Sequence, residues 1–438
     1  MADSPRIERF IAEHARDPEA ALDALVADLR AAQGPLVEQV EGTDQVRVSF
    51  VYIGEADSVS LACQLFPVSP PIKIVEELRR IQDTGVWYAS ILADPRNSVP
   101  YQFQLDPPSI GTDLAQVIAL MSDETGFAAY MKATFDSGRA DPFNPDRVYP
   151  LAGLLGGDPE GVATADRWES VLTLPDAETF SSLDGGPLRG KLDTHSLNAQ
   201  ALPGERTVSV YTPPGYDGST ALPVVVLLDG EMALRSGRLD EQLDRMIADG
   251  TIPPVIGVFW ANLTVVSRMT EMACDPALPT AIADELLPWL RENYAVSASR
   301  EDVTIAGMSF GGLASAWLAL ERPDAFGAAL ALSPSLWFAP APTSPDEEPE
   351  QPQWLTRRYA SKPTVDVRLF VSVGLLENSA LPVPGPEPLT MIKAARNFRD
   401  LVLRKGYDLV GYREQPGGHD FVNVNRVIEH ALPALLRR

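Results

Sequence analysis

Five residues, Gly307-Met308-Ser309-Phe310-Gly311, set one serine between two glycines. Residues 303–306 before them form a short apolar run that reads as a buried strand. Residues 313–320 after them have helical character and end at Arg322-Pro323. Strand, G-x-S-x-G and helix in that order match a nucleophile elbow, a sharp turn that lifts a serine hydroxyl off the end of a sheet. The flanking positions of such a turn must be small, which glycine satisfies by having no Cβ. The helix behind the serine also turns its positive end toward any oxyanion formed there. A surface serine in a glycine-softened loop is the plainer alternative, and it leaves the strand and the helix unaccounted for.

A serine hydroxyl needs a base within hydrogen-bond reach to become a useful nucleophile. The chain has four histidines: His14, His195, His419 and His430. Where an elbow serine heads the order serine, acid, histidine, only His419 and His430 follow it. His430 sits inside a terminal helical run, whereas His419 sits in the glycine-rich segment Gly417-Gly418-His419-Asp420 after the last strand. His419 is therefore the expected base, and His195 and His14 are expected to be structural and solvated, respectively. The acid that orients the imidazole should lie between Ser309 and His419 at a strand end. Glu377, after the apolar run 367–373, fits best. Asp366 starts that run, Asp400 lies on a helical stretch and Asp408 begins the last strand. Two N–H groups should meet the developing oxyanion. The expected donors are the backbone of Phe310 and, after the run ending Leu227-Leu228-Asp229-Gly230, the backbone of Gly230 or Glu231.

The elements that would position these groups follow from the wider pattern. A chain of 438 residues is too long for one ordinary core, so two domains are expected. Residues 1–33 read as amphipathic helices. Residues 34–150 show short alternating runs with Gly, Asp and Pro turns, which suggests a smaller all-β sandwich of immunoglobulin-like type. Trp87, Tyr88 and Tyr101 there could face a ligand, though core packing is the expected role. Residues 151–167 read as a linker. From 168 to 438 apolar strands alternate with helices, which implies an α/β fold with a mostly parallel sheet of α/β-hydrolase type. Reactive groups gather at the carboxyl ends of such strands. An acidic, proline-rich insertion at 339–353 interrupts the pattern and reads as a surface loop or a flap beside the site.

Composition narrows the function classes. A net charge of −24 argues against nucleic acid or an anionic membrane surface as partner. The longest apolar runs fall short of a membrane span, and the charged N-terminus lacks a signal core. Two cysteines, Cys63 and Cys274, suggest small buried side chains in a reducing, cytoplasmic setting. The expected partner is a small-molecule substrate, and neither cofactor nor metal is expected.

The motifs together resemble the enterochelin (ferric enterobactin) esterase family. The resemblance runs through Gly34-Pro35-Leu36-Val37-Glu38, Val48-Ser49-Phe50-Val51-Tyr52, Val210-Tyr211-Thr212-Pro213, Leu227-Leu228-Asp229-Gly230, Arg268-Met269-Thr270-Glu271-Met272, Glu285-Leu286-Leu287-Pro288-Trp289, the Ser309 motif and Gly417-Gly418-His419-Asp420. It implies hydrolysis of the ester bonds of a cyclic trilactone of catechol-bearing serines, with release of bound iron. Because a ferric catecholate is anionic, the resemblance points to Arg206 and Arg268 as substrate contacts, with ordinary ion pairing (Arg268 with Glu271, for example) as their alternative. Three features depart from the family pattern: Glu231-Met232-Ala233-Leu234 lacks a tryptophan, Arg206-Thr207 replaces an arginine pair, and the acidic insertion is foreign to it. Other esters (feruloyl, acyl or polyester) and a non-enzymatic binding role are the alternative functions.

Overall fold

The computed structural model describes residues 4–66, 75–109, 120, 123–151, 153–157, 164–178, 186–340, 350–381, 383 and 387–436. Most of the apolar run 114–121 and residues 341–349 of the acidic insertion lie outside them. The chain forms two compact units: Met1–Glu178 with Pro416–Val422, and Thr179–Gln415 with Asn423–Arg438.

The first unit opens with helices α1 (Pro5–His14) and α2 (Pro18–Ala32). Each begins with proline behind a capping side chain. The Ser4 hydroxyl accepts from the N–H groups of Arg6 and Ile7, and the Asp17 carboxylate accepts from Ala20. Ile7, Phe10, Leu25 and Leu29 pack with Leu36, Val51, Val86 and Tyr88. One sheet joins β1 (Leu36–Gln39), β2 (Val46–Ile53), β6 (Val86–Ala93) and β5 (Arg79–Arg80) in that order. A second runs β4 (Val75–Glu77), β3 (Val59–Cys63), β7 (Ser98–Leu105), β10 (Glu169–Thr173) and β9 (Arg147–Val148), with β8 (Gly138–Arg139) beside β7. All pairings are antiparallel, so behind α1 and α2 the unit is mainly β, with a helix at Glu124–Ser137 inserted between β7 and β8. Trp87, Tyr88 and Tyr101 are buried, and Tyr101 meets Phe50 edge-on at 5.0 Å. Both cysteines are free and buried.

The boundary falls later than expected. Residues 98–101 of β7 pair with β10, so a strand assigned to the catalytic region belongs to the sandwich. Alternation marks a strand but not the sheet it joins, which long-range pairing decides.

The second unit is built on an eight-stranded sheet. Its strands are β11 (Lys191–Asn198), β12 (Glu205–Thr212), β13 (Val224–Leu228), β14 (Ile256–Trp260), β15 (Val303–Met308), β16 (Ala328–Leu332), β17 (Arg368–Gly374) and β18 (Asp408–Gln415). The order is β11-β12-β14-β13-β15-β16-β17-β18. β12 runs antiparallel to β11 and β14, and the remaining pairs are parallel. β13, β14 and β16 are buried at every position, which explains their unbroken apolar sequence. Helices α3 (Gly230–Arg235), α4 (Val265–Glu271), α5 (Phe310–Glu321), α6 (Met391–Lys405) and α7 (Phe421–Leu436) lie among them. α5 is buried from Phe310 to Leu320 and carries the serine at its start.

Candidate active site

Ser309 joins β15 to α5 with φ 61° and ψ −119°. A side-chain-bearing residue held there stores strain on the order of 1–3 kcal/mol, which surrounding structure must sustain. Here the sustaining bonds are explicit. Ser309 N–H donates to the Leu332 carbonyl at 2.9 Å. The Ser309 carbonyl accepts from Leu313 at 3.0 Å and from Ser335 at 2.9 Å. The glycines are required by contact. A Cβ on Gly307 would lie 2.5 Å from the Gly311 carbonyl, and one on Gly312 would lie 2.9 Å from the Leu332 oxygen. The Ser309 Oγ is 3.4 Å from the Ser335 Oγ. The first N–H groups of α5, those of Phe310 and its successors, have no acceptor within the helix.

The loop after β13 is held by a buried network. Asp229 adopts φ 57°, ψ 45°. The Gly230 that follows is pressed onto β14, where a Cβ would lie 2.5 Å from the Phe259 carbonyl carbon. Arg268 on α4 donates from Nε to Asp229 Oδ1 at 2.6 Å and from Nη2 to Oδ2 at 2.7 Å. Asn262 Nδ2 donates to Asp229 Oδ1 at 2.7 Å and to Glu231 Oε1 at 2.8 Å, and the Asn262 backbone N–H donates to Glu231 Oε2 at 3.1 Å. Burial, then the neighbouring Asp229, raises the Glu231 carboxyl above its usual range. Burial works against the Arg268 charge, but the Asp229 carboxylate outweighs it and holds the guanidinium above its ordinary value. A Cβ at Gly311 would sit 3.0 Å from Asp229 Oδ2, so this network abuts the first turn behind the serine.

Glu377 follows β17 and is 7% exposed. It accepts from the Ser333 hydroxyl at 2.6 Å and from the Gly374 N–H at 2.7 Å. Those bonds fix its carboxylate at the carboxyl end of a strand. The other acid candidates sit differently: Asp366 pairs with Arg300, Asp400 with Arg399, and Asp408 is exposed at the entry of β18. His419 follows β18 in the segment that packs with the first unit. Its backbone N–H donates to Gln64 Oε1 at 2.5 Å, and its carbonyl accepts from Gln64 Nε2 at 3.3 Å. His195 instead meets the Tyr294 hydroxyl at 2.5 Å and the edge of Trp289, and His430 is exposed on α7.

Both arginines proposed as substrate contacts are engaged in buried ion pairs. Arg206 on β12 is fully buried, donates to Glu271 at 2.5 Å and lies 5.4 Å from the centre of the Trp260 ring. Arg206 is thus an internal charge, with no surface exposed. Arg268 is held by Asp229 along its Nε–Nη2 edge, and the expected alternative partner Glu271 belongs to Arg206. Sequence reading also missed an aromatic cluster. Phe310 meets Phe338 at 5.2 Å and Trp337 at 6.1 Å, both edge-on. The consecutive Trp337-Phe338 just past a strand end was the available signal. Among the described residues, no group of three His, Cys, Asp or Glu side chains is placed to hold a metal ion, and no helix is long and apolar enough to cross a membrane.

A parallel sheet with an antiparallel edge, a serine at a strained strand-to-helix turn and acidic and glycine residues at neighbouring strand ends define an α/β-hydrolase. Comparison with known proteins agrees. Residues 199–434 match the esterase family described as "Putative esterase", and the chain belongs to that family of carboxylic ester hydrolases. The iron(III) salmochelin esterase of Escherichia coli O6:H1 strain CFT073 is 28% identical over 386 residues, covering 86% of this chain and 88% of the relative. The ferric enterobactin esterase structure from Salmonella typhimurium superposes with a TM-score of 0.72 at 20% identity, over 93% of this chain and 98% of that one. The enterobactin esterase from Shigella flexneri, solved in the presence of enterobactin, gives 0.67 at 19% identity over 92% and 96%.

Proposed function

We propose that this protein hydrolyses the ester bonds of a catecholate trilactone siderophore of the ferric enterobactin type, releasing iron in the cytoplasm. The observation that carries the chemistry is Ser309 held at φ 61° between β15 and α5. In this reading Ser309 Oγ attacks a lactone carbonyl while His419 takes its proton. Glu377 orients the imidazole and favours its protonated form. The carbonyl oxygen, now negative, is met by the N–H of Phe310 and by that of Gly230 or Glu231. Collapse opens the lactone, and His419 protonates the departing alkoxide. His419 then draws a proton from water as it attacks the acyl-enzyme, and the freed acid leaves Ser309 restored.

Two things support the substrate class. Relatives covering most of the chain carry siderophore-esterase names. The edges of Trp337 and Phe338 beside Phe310 are surfaces suited to catechol rings.

Turnover of p-nitrophenyl butyrate by the wild type and by Ser309→Ala tests the chemistry. The expected loss is at least about 10³-fold, since a serine triad member contributes on that scale or above. Retained turnover in Ser309→Ala would refute the nucleophile. Chromatography of ferric enterobactin after incubation tests the substrate. Intact trilactone alongside cleaved butyrate ester would assign the enzyme to another ester.

A further inference from the structure

We infer that Gln64 is a positioning residue for His419. The inference rests on the reading of His419 as the base. Gln64 follows β3 and belongs to the same compact unit as the segment Pro416–Val422. Its one amide group engages both polar groups of the His419 peptide backbone: Oε1 accepts the His419 N–H at 2.5 Å, and Nε2 donates to the His419 carbonyl at 3.3 Å. A primary amide bound in this way copies a strand-like pairing. It fixes the peptide on either side of the His419 Cα and therefore the direction in which the imidazole leaves the chain.

The neighbouring glycines fit this role. Gly417 has φ 133°, a conformation that side-chain-bearing residues rarely adopt. A Cβ on Gly418 would lie 2.1 Å from Gln64 Oε1 and 2.6 Å from its Cδ. The Gly-Gly-His sequence is thus explained by what presses on it: Gly417 makes the turn and Gly418 admits the amide. The loop supplies no regular ladder of its own at this point, so the side chain from β3 replaces one. General-base catalysis is steep in placement, because displacing a reacting group by about 1 Å costs about 10²-fold. A loop histidine without such a brace would sample orientations in which it does not meet the hydroxyl.

The test uses the full chain and p-nitrophenyl butyrate, with Gln64→Ala, Gly418→Ala, the double variant, Gln64→Glu and His419→Ala, each with its Tm. Gln64→Ala is expected to lower kcat about 10- to 100-fold with KM within about twofold, since its amide is taken up by the His419 backbone. Gln64→Glu keeps an acceptor for the His419 N–H and should lose less. Gly418→Ala should cost more in the wild type than in the Gln64→Ala background, because the contacts at 2.1 and 2.6 Å go with the amide and only the 3.1 Å contact with the Cβ of residue 64 stays, and such non-additivity reports direct coupling. Full turnover by His419→Ala would bring down the base assignment and the inference with it. Inactive His419→Ala together with wild-type kcat in Gln64→Ala and an equal cost of Gly418→Ala in both backgrounds would overturn the role of Gln64 alone. If Gln64→Ala fails to fold, Gln64→Glu decides: reduced kcat at unchanged KM sustains the inference, and wild-type kcat refutes it.

Discussion

At the scale of single residues, backbone strain and hydrogen bonding concentrate around Ser309 and Asp229, the two positive-φ residues that end β15 and β13. Arg268 is the instructive side chain. Its bidentate pair with Asp229, through Nε and Nη2, makes it a support for the loop that carries Gly230 and Glu231. Arg268→Lys offers one point charge for a planar fork, so kcat is expected to fall about tenfold or more with KM little changed. A raised KM at unchanged kcat would instead return Arg268 to a substrate contact. Ser309 and its glycines were legible in the sequence because the elbow is a local device whose constraints lie within six residues. The partner of Arg268 was not legible. Asp229 lies far off in sequence, and a charge pattern on one helix suggested Glu271, which the fold gives to Arg206.

At the scale of elements, the site depends on how closely α5 approaches β15 and β16. Gly307→Ala drives a Cβ into the Gly311 backbone at 2.5 Å, and no flexible side chain can yield. The expected result is a loss of stability of about 2 kcal/mol or more, read as a lowered Tm with greatly reduced turnover. A normal Tm would show that α5 and β15 can part enough to admit the added methyl. The β12–α4 contact makes a second prediction. Arg206→Ala leaves Glu271 buried without its partner, which should cost about 3–5 kcal/mol in urea unfolding while KM of the folded fraction stays unchanged. The central strands were readable from their apolar runs, and observed and expected spans differ by a residue or two. β11 escaped notice. Its Lys-Leu-Asp-Thr-His-Ser-Leu-Asn sequence sits half-exposed at the sheet edge, where pairing with β12 rather than burial makes the strand.

At the scale of the whole molecule, the sequence showed an all-β part before an α/β part but placed the boundary too early, because only the pairing of β10 with β7 settles where residues 169–173 belong. That first unit also contains a pH-sensitive group. Burial, with a smaller contribution from Asp420, pushes the Glu169 carboxyl up to about 7. A carboxyl raised above its unfolded value of about 4.5 stabilises the fold below that value, and the contribution is lost as pH rises toward 7. Glu169→Gln keeps an acceptor for the Leu151 N–H and has no proton to lose. Its Tm relative to wild type should therefore rise by a few degrees between pH 4.5 and pH 8, from about 1–2 kcal/mol at this partly exposed site. An identical difference at both pH values would contradict the assignment. The most direct test of the central claim is peptide mass spectrometry after rapid acid quench of the enzyme with ferric enterobactin. Attack on a cyclic triester opens the ring without releasing a fragment, so the Ser309 peptide should first gain the mass of the whole iron-free trilactone, and Ser309→Ala should show no adduct. An unmodified Ser309 peptide during active turnover, or an adduct on another residue, would contradict it.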